Sequence, residues 1–239
     1  MRTIAAMAVS VCLYTGLAQE NRQLPTASEV LDAYVRALGG RQALQGVTSR
    51  GAMGSFQSPT YGSYGRYEEF TKLPGRLIRT IHVPGYGVVQ RCFDGVRGWE
   101  ESPEYGVEEL SGARLSEIRR DAALESPLQL SQVFSKLKVA RRAQVDLRDA
   151  YEVLAETPDG AVETLSFDVE SGLMVRRELL ETARDGSVRR VRTYFEDYRA
   201  VDGIQIAHTL RYEREDLIWI VKRGVANTVP IDDQQFRKP

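Results

Sequence analysis

The chain has 239 residues, with 32 basic and 33 acidic side chains for a net charge of −1, and is 42% hydrophobic and 27% charged. That balance belongs to a globular protein able to bury a core of its own, and it excludes a disordered chain. Near-neutrality without any long run of like charge also argues against a nucleic-acid partner, which needs a basic stripe.

Met1-Arg2 gives a short positive start, followed by an uncharged apolar run to Leu13 and small residues at Gly16 and Ala18. This pattern predicts a secretory signal peptide over 1–18, cleaved before Gln19. The mature domain, 19–239, is then expected in the periplasm or another extracytoplasmic space. The leader is shorter than the roughly 20 apolar residues a membrane span requires, and no later segment reaches that length, so the mature form is expected not to span a membrane. Cys12 follows the bulky Val11, a poor lipoprotein processing site. Cys92 would be the one mature thiol, with no partner and no metal-type spacing, and reads as a small buried hydrophobe.

Thr26-Ala27-Ser28-Glu29 is a capping box, and Val30, Leu31, Tyr34 and Leu38 follow at helical spacing before Gly39-Gly40. A second short helix is expected over 41–45. The pattern then changes to strands over 47–56, 64–72, 76–83, 87–93, 97–101 and 107–110, with turns at Pro74-Gly75, Pro84-Gly85 and Asp94-Gly95. A helical interlude over 111–137 follows. Its first helix carries Leu115, Ile118 and Ala122, and Pro127 restarts a second with Leu130, Val133, Phe134 and Leu137 on one face. Strands return over 150–156, 161–169, 173–182, 187–198, 204–212 and 217–226, joined by turns such as Thr157-Pro158-Asp159-Gly160 and Arg184-Asp185-Gly186. Clear alternation in several of them predicts one buried and one wet face. Roughly a dozen antiparallel strands with no linker between them must curl, since a flat open sheet seldom grows beyond about ten. Curling creates a concave apolar face, which only the N-terminal helix and the 111–137 helices can cover.

The residues that usually carry chemistry are sparse. His82 and His208 lie far apart, each inside a strand pattern, and His208 reads as a satisfied core histidine beside Ile206 and Leu210. No metal-ligand spacing, nucleophile elbow or phosphate loop occurs, so neither metal nor cofactor is expected. Glu100-Glu101 and Glu108-Glu109 could be imagined as paired acids for glycoside hydrolysis, but they read as solvated strand-edge charges. Tyr61, Tyr64 and Tyr67 do not share one face of a strand, which favours aromatic packing on an edge hairpin over a stacking platform. No enzymatic activity is expected.

Two stretches carry a resemblance. The segment from Leu31-Asp32-Ala33-Tyr34 through Ala37-Leu38-Gly39-Gly40, with Ala43-Leu44 and Val47-Thr48-Ser49, resembles the opening of LolA-like extracytoplasmic proteins. Asp197-Tyr198-Arg199, Val201-Asp202-Gly203-Ile204 and the run from Asn227 to Pro239 are similar to the closing strands of outer-membrane lipoprotein-sorting-like proteins. The turn Gly172-Leu173-Met174-Val175 after Phe167-Asp168 resembles the same family, while Ala207 stands where many relatives carry Pro. The resemblance implies an α+β fold with a single, strongly curved antiparallel sheet. It would be an incomplete barrel of about eleven strands with helices covering its concave face. It further implies a carrier of acyl chains or a sensor acting through partner proteins, and it transfers no functional residue.

The expectation is therefore a monomeric binding or carrier protein for a lipid, acyl chain or lipoprotein. A periplasmic sensor or scaffold with an envelope protein partner is the alternative, and a hydrolase with an unrecognised site the third reading. Leu165, Phe167, Ile204, Ile206, Leu210, Leu217, Trp219 and Val221 are expected to line the concavity, although Trp219 could equally be permanent core beneath the N-terminal helix. Leu115, Ile118, Leu130 and Phe134 are expected to anchor a lid.

Overall fold

The computed structural model describes residues 23–237, so the leader over 1–18 and Cys12 lie outside the described residues. Helix α1 (Ala27–Ala37) begins at a complete capping box. The Glu29 amide donates to Thr26 Oγ1 at 3.2 Å, and the Thr26 amide donates to Glu29 Oε2 at 2.7 Å. Val30, Tyr34 and Leu38 form its buried stripe. The chain then reverses at Gly39 with φ +119° and enters α2 (Gly40–Gln45). A Cβ at Gly39 would sit 2.4 Å from the carbonyl oxygen of Gly203, so only glycine admits both the left-handed backbone and the close approach.

Thirteen antiparallel strands follow in one sheet. The first six are β1 (Ser49–Ser58), β2 (Ser63–Lys72), β3 (Arg76–Val83), β4 (Gly87–Phe93), β5 (Gly98–Ser102) and β6 (Gly106–Glu109). Helix α3 (Gly112–Leu124) and the short α4 (Leu130–Val133) intervene. The remaining strands are β7 (Lys136–Val145), β8 (Arg148–Glu156), β9 (Val162–Asp168), β10 (Met174–Thr182), β11 (Val188–Val201), β12 (Ile204–Arg214) and β13 (Leu217–Asn227). Their order is β6-β5-β4-β3-β2-β1-β13-β12-β11-β10-β9-β8-β7. Each half is a meander running from the centre to one edge, and the halves join where β1 pairs with β13, from Arg50↔Asn227 to Gln57↔Ile220. The curved antiparallel sheet with few helices is the expected architecture, with thirteen strands in place of about eleven.

Three local expectations are corrected. Strand β7 occupies residues read as the end of a helix: Leu130, Val133, Phe134 and Leu137 mimic a helical stripe, but Leu137 pairs with Ala155 in the sheet. Lys136, Lys138, Arg141 and Arg142 obscure the strand in sequence. In the structure these cations and a register shift between Val139 and Arg141 protect an edge. The β1–β2 hairpin that carries Tyr61, Tyr64 and Tyr67 lies at the centre of the sheet, with the first two tyrosines exposed and Tyr67 buried. Strand β9 is closed on both sides, since Ser166 on its second face is as inaccessible as Leu165.

The core lies in patches on both faces of the sheet rather than in one mass, with Cys92, Trp99 and Phe236 packed on the face away from the cavity. The largest gathers α1, α2 and α4 over β8, β9, β10 and β12, with Tyr34 edge-on to Phe167 at 5.1 Å. A second, of Leu77, Phe93, Leu110, Ile118 and Ala122, seats α3 on the β3–β5 wall. Cys92 is buried and donates to the Phe236 carbonyl at 3.2 Å. Burial raises its thiol to about 12, with Asp94 adding to the effect.

The Gly39 contact yields a paired test. Gly39→Ala should lower stability by about 2–3 kcal/mol, from strain plus the backbone clash. Gly40→Ala, at φ +88° with open space around it, should cost about 1 kcal/mol. Urea unfolding midpoints measure both, and equal losses would remove the packing account of Gly39.

Candidate functional site

The concavity holds a cavity of about 410 Å³ between α3 and the inner faces of β2–β4 and β10–β13. Strand alternation decides what reaches it. Odd positions of β13 (Leu217, Trp219, Val221, Arg223) and even positions of β12 (Leu210, Tyr212) point inward, joined by Phe195 and Val191 of β11 and Leu179 of β10. Trp219 packs edge-on to Phe56 and Tyr212, at centroid distances of 5.5 and 6.5 Å. Apart from Arg223, these residues make an apolar wall across four neighbouring strands.

The opposite side is charged. Glu69 on β2 accepts from Tyr67 Oη at 2.7 Å, Arg79 Nε at 2.7 Å and Arg223 Nη1 at 2.6 Å. Asp121 on α3 accepts from Arg177 Nη1 at 2.7 Å and Arg79 Nη1 at 3.4 Å. Glu163 on β9 is held by Arg177 through Nε and Nη2, at 2.7 and 3.0 Å, and by Arg120 Nε at 2.7 Å. Arginines with carboxylates on both sides thus chain β2, β3 and β13 through α3 to β9 and β10. Burial opposes the charge on Glu69, but Arg79, Arg223 and the Tyr67 hydroxyl overcome it and bring its carboxyl down to about 2. Asp121 is likewise lowered, because Arg177 and Arg79 outweigh its desolvation. Glu117 runs the other way. Burial raises its carboxyl, and its hydrogen bond from the Thr182 amide at 2.8 Å offsets only part of the cost.

Of the residues expected to line the concavity, Leu210, Leu217, Trp219 and Val221 line this cavity together. Leu165, Phe167, Ile204 and Ile206 lie in the separate core packed by α1, α2 and α4. The expected lid anchors also divide. Leu115 and Ile118 pack on the β3–β5 wall, whereas Leu130 and Phe134 join the α1 core. Trp219 belongs to a cluster with Phe56, Tyr67, Leu210 and Val221, away from α1. His208 is buried, with Nδ1 2.9 Å from the Ile206 carbonyl.

Sequence reasoning missed the ionic side. Glu100 and Glu108, read as solvated edge charges, face each other across β5–β6. Arg91, Arg114 and Arg184 gather around Glu100 at 3.1, 2.9 and 3.1 Å. Arg184 also stacks 3.8 Å over Tyr105. One signal was available: α3 carries Arg114, Glu117, Arg120 and Asp121 at three- and four-residue spacing, a second stripe beside its apolar one. Among the described residues no group of acids, histidines and cysteines could hold a metal ion, and no helix is long and apolar enough to cross a membrane.

The cluster around Glu69 gives a test with a sign. Its folded pKa lies below the ordinary 4.5, so the stability it contributes is present above pH 4.5 and is lost as pH falls toward 2. Glu69→Gln should cost about 3–5 kcal/mol at neutral pH by leaving Arg79 and Arg223 without their shared partner, and it should flatten the acid limb of the stability profile. Superimposable acid-unfolding curves for the two proteins would contradict this account.

The sequence matches no protein-family profile and no curated protein. Solved structures do match its fold. A DUF1329 family protein from Desulfovibrio piger superposes with a TM-score of 0.60 at 14% identity, over 88% of this chain and 97% of the other. A LolA superfamily protein from Nitrosomonas europaea gives 0.59 at 13% identity, over 90% and 99%. A domain from Vibrio parahaemolyticus described as an outer membrane lipoprotein-sorting protein gives 0.56 at 12% identity, over 88% and 97%. At these identities the likeness is one of architecture, and the chain has a LolA-like fold.

Proposed function

We propose that this protein is an exported, non-catalytic binding protein that holds the apolar part of a lipid or acyl chain in its concavity and acts as a carrier. The observation that supports this best is the apolar wall of Leu179, Val191, Phe195, Leu210, Trp219 and Val221, which faces a cavity of about 410 Å³. That volume is within the roughly 300–1,000 Å³ typical of small-molecule sites. Burying each methylene of a chain against such a wall is worth about 0.8 kcal/mol, so a modest alkyl segment suffices for useful affinity. The likeness to a lipoprotein-sorting domain is of fold alone and agrees with this reading.

In this reading α3 is the cover, and exchange of ligand requires Asp121, Arg120 and Glu117 to release their partners on β3, β9 and β10. The protein works as a monomer in an extracytoplasmic compartment, reached through the leader over 1–18. Partner proteins, if it has them, deliver or receive the ligand.

Trp219 reports the outcome. In a Trp99→Phe background it is the sole indole, and the Trp99 Nε1 has no hydrogen-bond partner among the described residues to lose. A fatty-acyl probe entering the cavity should shift Trp219 emission, and Trp219→Ala should weaken probe binding by about 1–3 kcal/mol. Unchanged emission at saturating probe, together with unchanged affinity in the Ala variant, would refute a ligand site at this wall.

A further inference from the structure

The seven arginines lining the cavity all face carboxylates, although Arg91 Nε and Arg184 Nη1 make no hydrogen bond among the described residues. Arg79, Arg91, Arg114, Arg177, Arg184, Arg214 and Arg223 each have a carboxylate within 4.0 Å. Among the lining carboxylates, Glu100, Asp121, Glu125 and Glu213 have cations of their own, and Glu181 has Arg91 at 3.9 Å. Glu117 differs. It is 5% exposed, it lines the cavity, and no cation lies within ion-pair distance of it among the described residues. Its one hydrogen bond comes from the Thr182 amide and occupies Oε1. An ionised carboxylate can accept about four hydrogen bonds, so most of its capacity is open to a ligand.

Resting on the reading of this cavity as a ligand site, we infer that its ligand is an amphiphile whose polar end donates hydrogen bonds and bears no negative charge. Glu117 would receive that polar end, an ammonium in preference to a hydroxyl. The apolar tail then lies along Val89, Leu179 and Val191 toward Trp219, all of which line the same cavity. A carboxylate or phosphate headgroup would have to share an arginine that already faces a protein carboxylate. It would also be placed near Glu117, Glu181 and Asp121. A donor meets no such obstacle, and a cation beside Glu117 relieves the desolvation that raises its carboxyl.

Three ten-carbon probes separate the possibilities: decylammonium, decanol and decanoate, titrated below their aggregation limits against the mature protein. Decylammonium should bind about tenfold more tightly than decanoate, with decanol between, as expected for a hydrogen bond to a charged partner. Glu117→Gln keeps a carbonyl oxygen for the Thr182 amide but removes the charge, so it should collapse the three affinities to within about twofold of one another. Trp219→Ala should weaken all three alike. Equal affinities in the parent protein, tighter decanoate binding, or an unchanged order in Glu117→Gln would each overturn the headgroup assignment and leave the apolar site standing. If none of the probes binds, the apolar site itself is refuted and the headgroup assignment goes with it.

Discussion

One carboxylate on α3 is reached by arginines from opposite walls of the sheet, and much of the molecule's geometry follows from that contact. Arg79 on β3 and Arg177 on β10 both donate to Asp121. Their strands stand six places apart in the sheet, roughly 29 Å along a flat surface at about 4.8 Å per strand. A helix about 10 Å wide can touch both only if the sheet is rolled around it. The connection from β6 to β7 joins the sheet's two edges, so its path lies across the mouth of the curve. Topology requires a crossing there, and the ion pairs fix where the helix rests.

Those pairs carry a cost as well as a contact. Charges taken from water into a partly closed interior lose hydration, and replacing a buried pair with apolar residues often leaves stability no worse. What apolar residues could not supply at this position is direction: Arg177 grips Glu163 through two nitrogens while reaching Asp121 with a third contact, and Arg79 spans Glu69 and Asp121 with one nitrogen on each. Such forks hold a distance between two walls, where packing alone would let them close and fill the cavity. The cavity therefore coexists with a covering helix whose inward face is largely charged.

Local chemistry made much of this legible. The Thr26–Glu29 box, the Gly39 reversal and turns such as Asp159-Gly160 depend on neighbouring residues, and each appears where sequence places it. Strands β3 and β4 match residue for residue. Strand β7 was hidden because an edge strand protects itself with the cations that make it look unlike a strand. The ionic side of the cavity was hidden for another reason. Glu69, Asp121 and Glu163 are ordinary surface residue types, and only long-range placement brings arginines from β3, β10, β13 and α3 to them. Alternation, regular in β13 and beyond Thr209 in β12, sets Leu210, Leu217, Trp219 and Val221 along the cavity. It could not tell that Ile204 and Ile206, two turns of the same pleat earlier, serve the α1 core instead of the cavity.

The pairing of β1 with β13 has a kinetic side. Hairpins on each half are local and can form within microseconds, whereas the seam between Arg50 and Asn227 joins residues from the two ends of the described chain. Until it closes, two long strands destined for the middle of the sheet stand as open edges, without the register shift that helps guard β7. Folding of this protein should therefore be limited by a single late, long-range event. The half-assembled chain waiting for it is the form most exposed to mispairing with another copy, and hence the one a chaperone would have to protect.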